Sequence, residues 1–202
     1  MKLSEIIQKT LPFGYLFLVV LGILKESIYY YQVGINILKY SSIMDVLISP
    51  IADLTSTPII LLGFTILVLV LYVASLLISK NFNKEWLKKK IGSKKPLSEI
   101  TEEEVRAYFG KYFISMFAFS LVCFFLGLGL GSGSKVASKI SKNELKFNHE
   151  ITFGDGQTKE IYLIGSNSTN YFYVEKGNKN VKISPVGAIK SLEITTNKVL
   201  DK

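Results

Sequence analysis

From Pro58 to Ser79 the chain reads PIILLGFTILVLVLYVASLLIS, an apolar passage without a single charged residue. As a helix rising about 1.5 Å per residue it reaches about 33 Å, enough to cross a hydrocarbon core of about 30 Å. A helix on the surface of a soluble protein needs a polar face, and this one has none. The stretch therefore predicts a membrane-spanning helix, and everything else is arranged around it. Weaker apolar runs at about 12–31 and 112–130 predict two further spans. The expected fold class is a three-helix membrane domain over 1–134, with a basic linker at 80–111, followed by a small all-β domain over 135–202.

Apolar residues concentrate before Ser134, while Lys135 to Lys202 is polar and alternating. The net charge of +8 comes almost entirely from lysine. Such a charge raises nucleic acid as a partner, but positive flanking of membrane spans accounts for it more simply. Cys123, the single cysteine, lies inside an apolar run and can form no intrachain disulfide. One histidine, His149, argues against a histidine-based metal centre. No phosphate-binding Gly-Lys-Ser/Thr loop is present. Gly131-Ser132-Gly133 invites an intramembrane protease reading, but no span carries a histidine to serve as base. The expectation is a protein that is not an enzyme and takes no cofactor.

The first span is expected to begin at Pro12, a residue suited to a first helical turn, and to end in a belt of Tyr29, Tyr30 and Tyr31. Lys25 and Glu26 are the candidate intramembrane charges. They point about 100° apart on a helix and so neutralise each other poorly. They either snorkel to the headgroups or mark a pathway or interhelical contact. Between the spans, Ile43, Met44, Val46, Leu47 and Ile51 recur at near-helical spacing, predicting an interfacial helix or a re-entrant loop, punctuated by Pro50 and Pro58.

In the linker, Lys84, Trp86, Lys88, Lys89 and Lys90 form the candidate lipid-facing basic stretch, with Phe82, Leu87 and Ile91 interleaved and Pro96 beyond. Thr101 and Glu104 predict a capping box. The third span ends in GLGLGSGS, where Gly127 and Gly131, and likewise Gly129 and Gly133, are four apart. These four are the candidate helix-packing residues; the other reading is a flexible exit, because glycine is a poor helix former. Lys and Arg crowd the N-terminus and the linker, so the positive-inside rule puts both in the cytoplasm and the β domain outside an inner membrane.

From Lys146 the periodicity becomes two, with turns at Gly154-Asp155-Gly156, Gly165–Asn170 and Lys176–Asn180. Four short strands, a helical turn at Pro185–Ile189 and a fifth strand follow. That order resembles SH3-like or Sm-like small barrels, which implies a five-stranded barrel; the period-two pattern bounded by turns predicts that 135–202 folds alone as an all-β monomer. Asn167-Ser168-Thr169 matches a glycosylation acceptor. The partners expected are the lipid bilayer, further copies of the chain, and a protein or small ligand on the β domain. Three readings stand. The protein is a homo-oligomeric sensor or gated pore; or a membrane-anchored interaction module without conductance; or a defence-type effector whose β domain binds a small ligand or nucleotide in the cytoplasm.

Overall fold

The computed structural model describes residues 3–81, 84–90 and 100–196. Five helices precede five strands: α1 Leu3–Tyr31, α2 Ile43–Ser56, α3 Pro58–Lys80, α4 Glu85–Lys90 and α5 Glu102–Lys142, then β1 His149–Phe153, β2 Thr158–Ser166, β3 Asn170–Glu175, β4 Val181–Pro185 and β5 Ile189–Ile194. Among the described residues, three helices are long and apolar enough to cross a membrane by length and composition: Leu11–Tyr31 within α1, Pro58–Ile78 within α3, and α5. Contacts divide the chain into two compact units, Met1–Pro50 with Phe125–Lys202, and Ile51–Phe124.

Local sequence explains several helix ends, and three expectations are corrected. Helix α1 starts before Pro12, so this proline sits inside the helix. Helix α2 likewise runs through Pro50 to Ser56. Its start is a capping box: Asp45 N donates to Ser42 Oγ at 3.2 Å, and Ser42 N to Asp45 Oδ2 at 2.8 Å. Thr101 and Glu104 form the same device on α5, with Glu104 N donating to Thr101 Oγ1 at 3.3 Å and Thr101 N to Glu104 Oε2 at 3.1 Å. The flexible-exit reading of the glycine run does not hold, because α5 continues unbroken through Gly133 to Lys142. It stops where Asn143 turns left-handed at φ 60 and Glu144 N donates to Lys139 O at 2.9 Å.

In the first unit the strands form one antiparallel sheet in the order β4-β3-β2-β1-β5. The expected closed barrel is not formed: β4 and β5 are the two edges of an open sheet. Yet the sheet must curl. Four strand spacings of about 4.8 Å would put the edges of a flat sheet about 19 Å apart. The chain passes from Pro185 at the end of β4 to Ile189 at the start of β5 through the single 3-10 turn Val186–Ala188, whose rise of about 2 Å per residue cannot bridge that gap. Gly156 and Gly177 supply the positive φ, 85 and 81, that the β1–β2 and β3–β4 turns require. Both sheet faces are apolar. Ile151, Ile161 and Tyr173 form one cluster, while Ile164, Phe172 and Val174 on the other face join residues from the helices.

In the second unit α3 and α5 run antiparallel, with Ile78 packed in the Val105 and Phe109 cluster and Phe64 near Phe124. Helix α4 adds Leu87, fully buried, to that cluster.

Candidate functional site at the helix–sheet junction

The sheet is docked on the first unit's helices through a shared core. Tyr30, Ile35, Ile37 and Val136 bury themselves against Ile164, Phe172 and Val174. The Tyr30 and Phe172 rings lie 5.0 Å apart. Strand β2 is irregular between Leu163 and Gly165 in its pairing with β3. Ile164 O, freed from the ladder there, accepts a hydrogen bond from Tyr29 OH at 2.9 Å. The Tyr30 hydroxyl occupies the space above Gly165 that any Cβ would need. Of the three tyrosines read as a belt, only Tyr31 is largely exposed.

One turn earlier on α1, Lys25 Nζ contacts Glu26 Oε1 at 2.7 Å and donates to Ser49 Oγ of α2 at 3.1 Å. Ser49 Oγ also donates to Glu26 Oε1. The side chains are 14% and 16% exposed, so they are turned towards α2 and held within the protein. Their 100° separation is overcome because both long side chains bend towards one hydroxyl. Pro50 helps set the approach of α2. It has no N–H to give the Val46 carbonyl, its normal partner four residues back. That orphaned carbonyl lies against α1 at Gly22, where a Cβ would collide with it.

A second attachment joins α2 to the β2–β3 turn. The Asp45 carboxylate accepts from Ser168 N and Ser168 Oγ, both at 3.0 Å, as well as from Ser42. Partial burial works to raise its pKa, but the hydrogen bonds from Ser42 and Ser168 outweigh this and hold it below the usual carboxylate value. Asn167 Nδ2 donates to Tyr40 O at 2.9 Å, and its Oδ1 accepts from Thr169 N and Asn170 N at 3.0 and 2.8 Å. The glycosylation motif is thus a turn whose asparagine is already used structurally. Sequence reasoning missed this junction, although Ser42-x-x-Asp45 was a legible capping signal.

The four candidate glycines separate onto opposite faces of α5. A Cβ on Gly129 would sit 2.6 Å from Lys25 O, and one on Gly133 would sit 2.7 Å from Tyr29 O. These two let α1 and α5 approach in parallel, and Gln32 Nε2 donates to Leu130 O at 3.2 Å beside them. Gly127 and Gly131 face open space. In the basic stretch, Lys84, Trp86, Lys89 and Lys90 are exposed while Leu87 turns inwards. The Lys88 side chain, Phe82, Ile91 and Pro96 lie outside the described residues.

An open depression of about 690 Å³ lies on the sheet, lined among others by Phe153, Lys159, Tyr173, Glu175, Lys182 and Ser184. Glu175 receives Lys182 Nζ at 2.8 Å and Lys159 Nζ at 3.3 Å. Burial works to raise the Glu175 pKa, but the two lysines lower it overall. Burial lowers the pKa of His149, whose Nδ1 lies 2.9 Å from Asn148 Oδ1. Among the described residues, no three His, Cys, Asp or Glu side chains gather as metal ligands would. Comparison with protein-family models, with curated proteins and with solved structures gives no match.

Proposed function

We propose that this chain is a non-enzymatic multi-pass membrane protein in which the β sheet senses a signal and passes it to the helices of a homo-oligomeric gated pore. The observation that carries this reading is the shared core of Tyr30 with Phe172 and Val174, backed by the Tyr29 and Asp45 hydrogen bonds. A module merely anchored to a membrane needs only a tether. Here a displacement of β2 or β3 must move the end of α1, and with it the Lys25–Glu26–Ser49 cluster one turn away.

Three spans are too few to enclose a conduit, so the pore is built from several copies. Gly127 and Gly131, on the face of α5 turned away from α1, are the proposed contacts between them. The open sheet is proposed to share the strand order of SH3-like or Sm-like folds without their closure; its curl and the 3-10 turn before β5 support that assignment. The proposed location is the inner membrane, with the N-terminus and the 80–111 linker in the cytoplasm and the sheet outside. The depression around Glu175 favours one variant, in which a small ligand bound there is the signal.

The test is ion flux through liposomes containing the full chain, with and without Tyr30→Ala. Flux that the variant abolishes or renders ungated is expected. Absence of flux under voltage and membrane tension, with the protein inserted, would leave the anchored module as the better reading. Labelling with an impermeant thiol reagent settles the side: in cells with Cys123 replaced, a cysteine at Asn178 should react and one at Lys89 should not.

A further inference from the structure

The second unit contains a groove that nothing above uses. It measures about 470 Å³ and lies between α3 and α5, lined by Ser75 and Ile78 on one side and by Val105, Arg106, Phe109, Gly110, Phe113 and Ile114 on the other. Its size falls within the range of small-molecule sites. Most of its wall is apolar, and Gly110 opens it: a Cβ there would meet nothing within 4 Å. Ile78 is the last residue of the apolar segment Pro58–Ile78, so the groove begins where that span ends. From Arg106 to Ile114 it follows α5 for eight residues, about 12 Å of helix.

We infer that this groove is a discrete site for one anionic phospholipid, its phosphate on Arg106 and one acyl chain along Phe109, Gly110, Phe113 and Ile114. The inference rests on the membrane reading above and adds a stoichiometric site to the diffuse attraction of a basic surface. Two observations select this occupant. The groove is apolar along its length and cationic only at the end that coincides with the end of the span, the polarity of a phospholipid. Arg106 pairs with Glu102 through Nη2 at 2.5 Å, and a guanidinium carries further N–H donors in a planar fork suited to phosphate. Lys80, exposed, follows closely on Ile78 in sequence and adds positive charge near that end. Glu104, which would oppose an anion, reaches back to the Thr101 N–H, while Glu103 is exposed.

The experiment is native mass spectrometry of the full chain in a mild detergent, with phosphatidylglycerol or phosphatidylcholine of the same acyl composition. One phosphatidylglycerol per chain is expected to be retained, preferred about five- to tenfold over phosphatidylcholine. Gly110→Leu, which fills the groove and favours helix, and Arg106→Gln should each remove the retained lipid. Joint Lys84, Lys89 and Lys90→Gln should leave it in place. Equal retention of the two lipids, or wild-type retention in both single variants, overturns the site. Displacement by inorganic phosphate also overturns it, in favour of a simple anion site. Flotation with liposomes is the separate check: a chain that floats but holds no lipid refutes this inference alone, and one that does not float refutes the membrane reading.

Discussion

Pro50 cannot donate to the Val46 carbonyl, and Gly22 is the residue of α1 that faces the oxygen so released. The two residues act together: the proline frees the carbonyl, and the glycine lets α2 come close enough to cover it. Gly22→Leu should therefore force the helices apart and cost about 1–3 kcal/mol. Gly14→Leu, whose Cβ meets nothing within 4 Å, should be neutral; thermal unfolding in detergent compares them. His149 offers a pH prediction. Burial lowers its pKa below the ordinary 6.5, so in acid the unfolded chain takes up the proton more readily than the folded one. Its contribution to stability is full above about pH 7 and lost as the pH falls through the lowered value. It is the only histidine, so His149→Gln should flatten the fall in stability that sets in as the pH drops below about 7.

Helix α5 carries two pairs of glycines with the same spacing and different surroundings. Gly129 and Gly133 meet backbone of α1 within 2.7 Å of any added Cβ, whereas Gly127 and Gly131 meet nothing. Successive glycines two apart point about 200° from each other on a helix, so one sequence run serves two faces. Replacing Gly129 and Gly133 by Leu should separate α1 from α5 and unfold the first unit. Replacing Gly127 and Gly131 should leave the monomer fold intact and reduce the subunit count in detergent. An unchanged count in the second variant would remove this face from the proposed assembly. Cys123, exposed and four residues before Gly127 on the same ridge, offers an independent reading by oxidative cross-linking.

At the scale of the whole molecule, the sheet does not stand apart from the helices. Phe172 and Val174, both fully buried, owe part of that burial to Tyr30, Ile35, Ile37 and Val136. A segment of residues 144–196 alone would expose this apolar face to water. It is expected to self-associate or lose fixed side-chain packing, in contrast to the autonomous domain that its alternating pattern implies. A soluble monomer with sharp, dispersed amide resonances would refute this dependence. The sequence by itself determined the helices and strands, because hydrophobic period and turn residues are local: an uncharged 22-residue run can only be a buried or spanning helix, and glycine turns fixed the five strands to within a few residues. It also pointed to Gly129 and Gly133 as packing positions, though without separating them from Gly127 and Gly131. Only the tertiary structure decided which tyrosines dock the sheet, that Lys25 and Glu26 meet on Ser49, and that Asn167 and Asp45 close a turn onto α2. Each of these joins residues at least 23 positions apart. A local pattern records that a residue is apolar or charged, but its partner is chosen by where the chain returns.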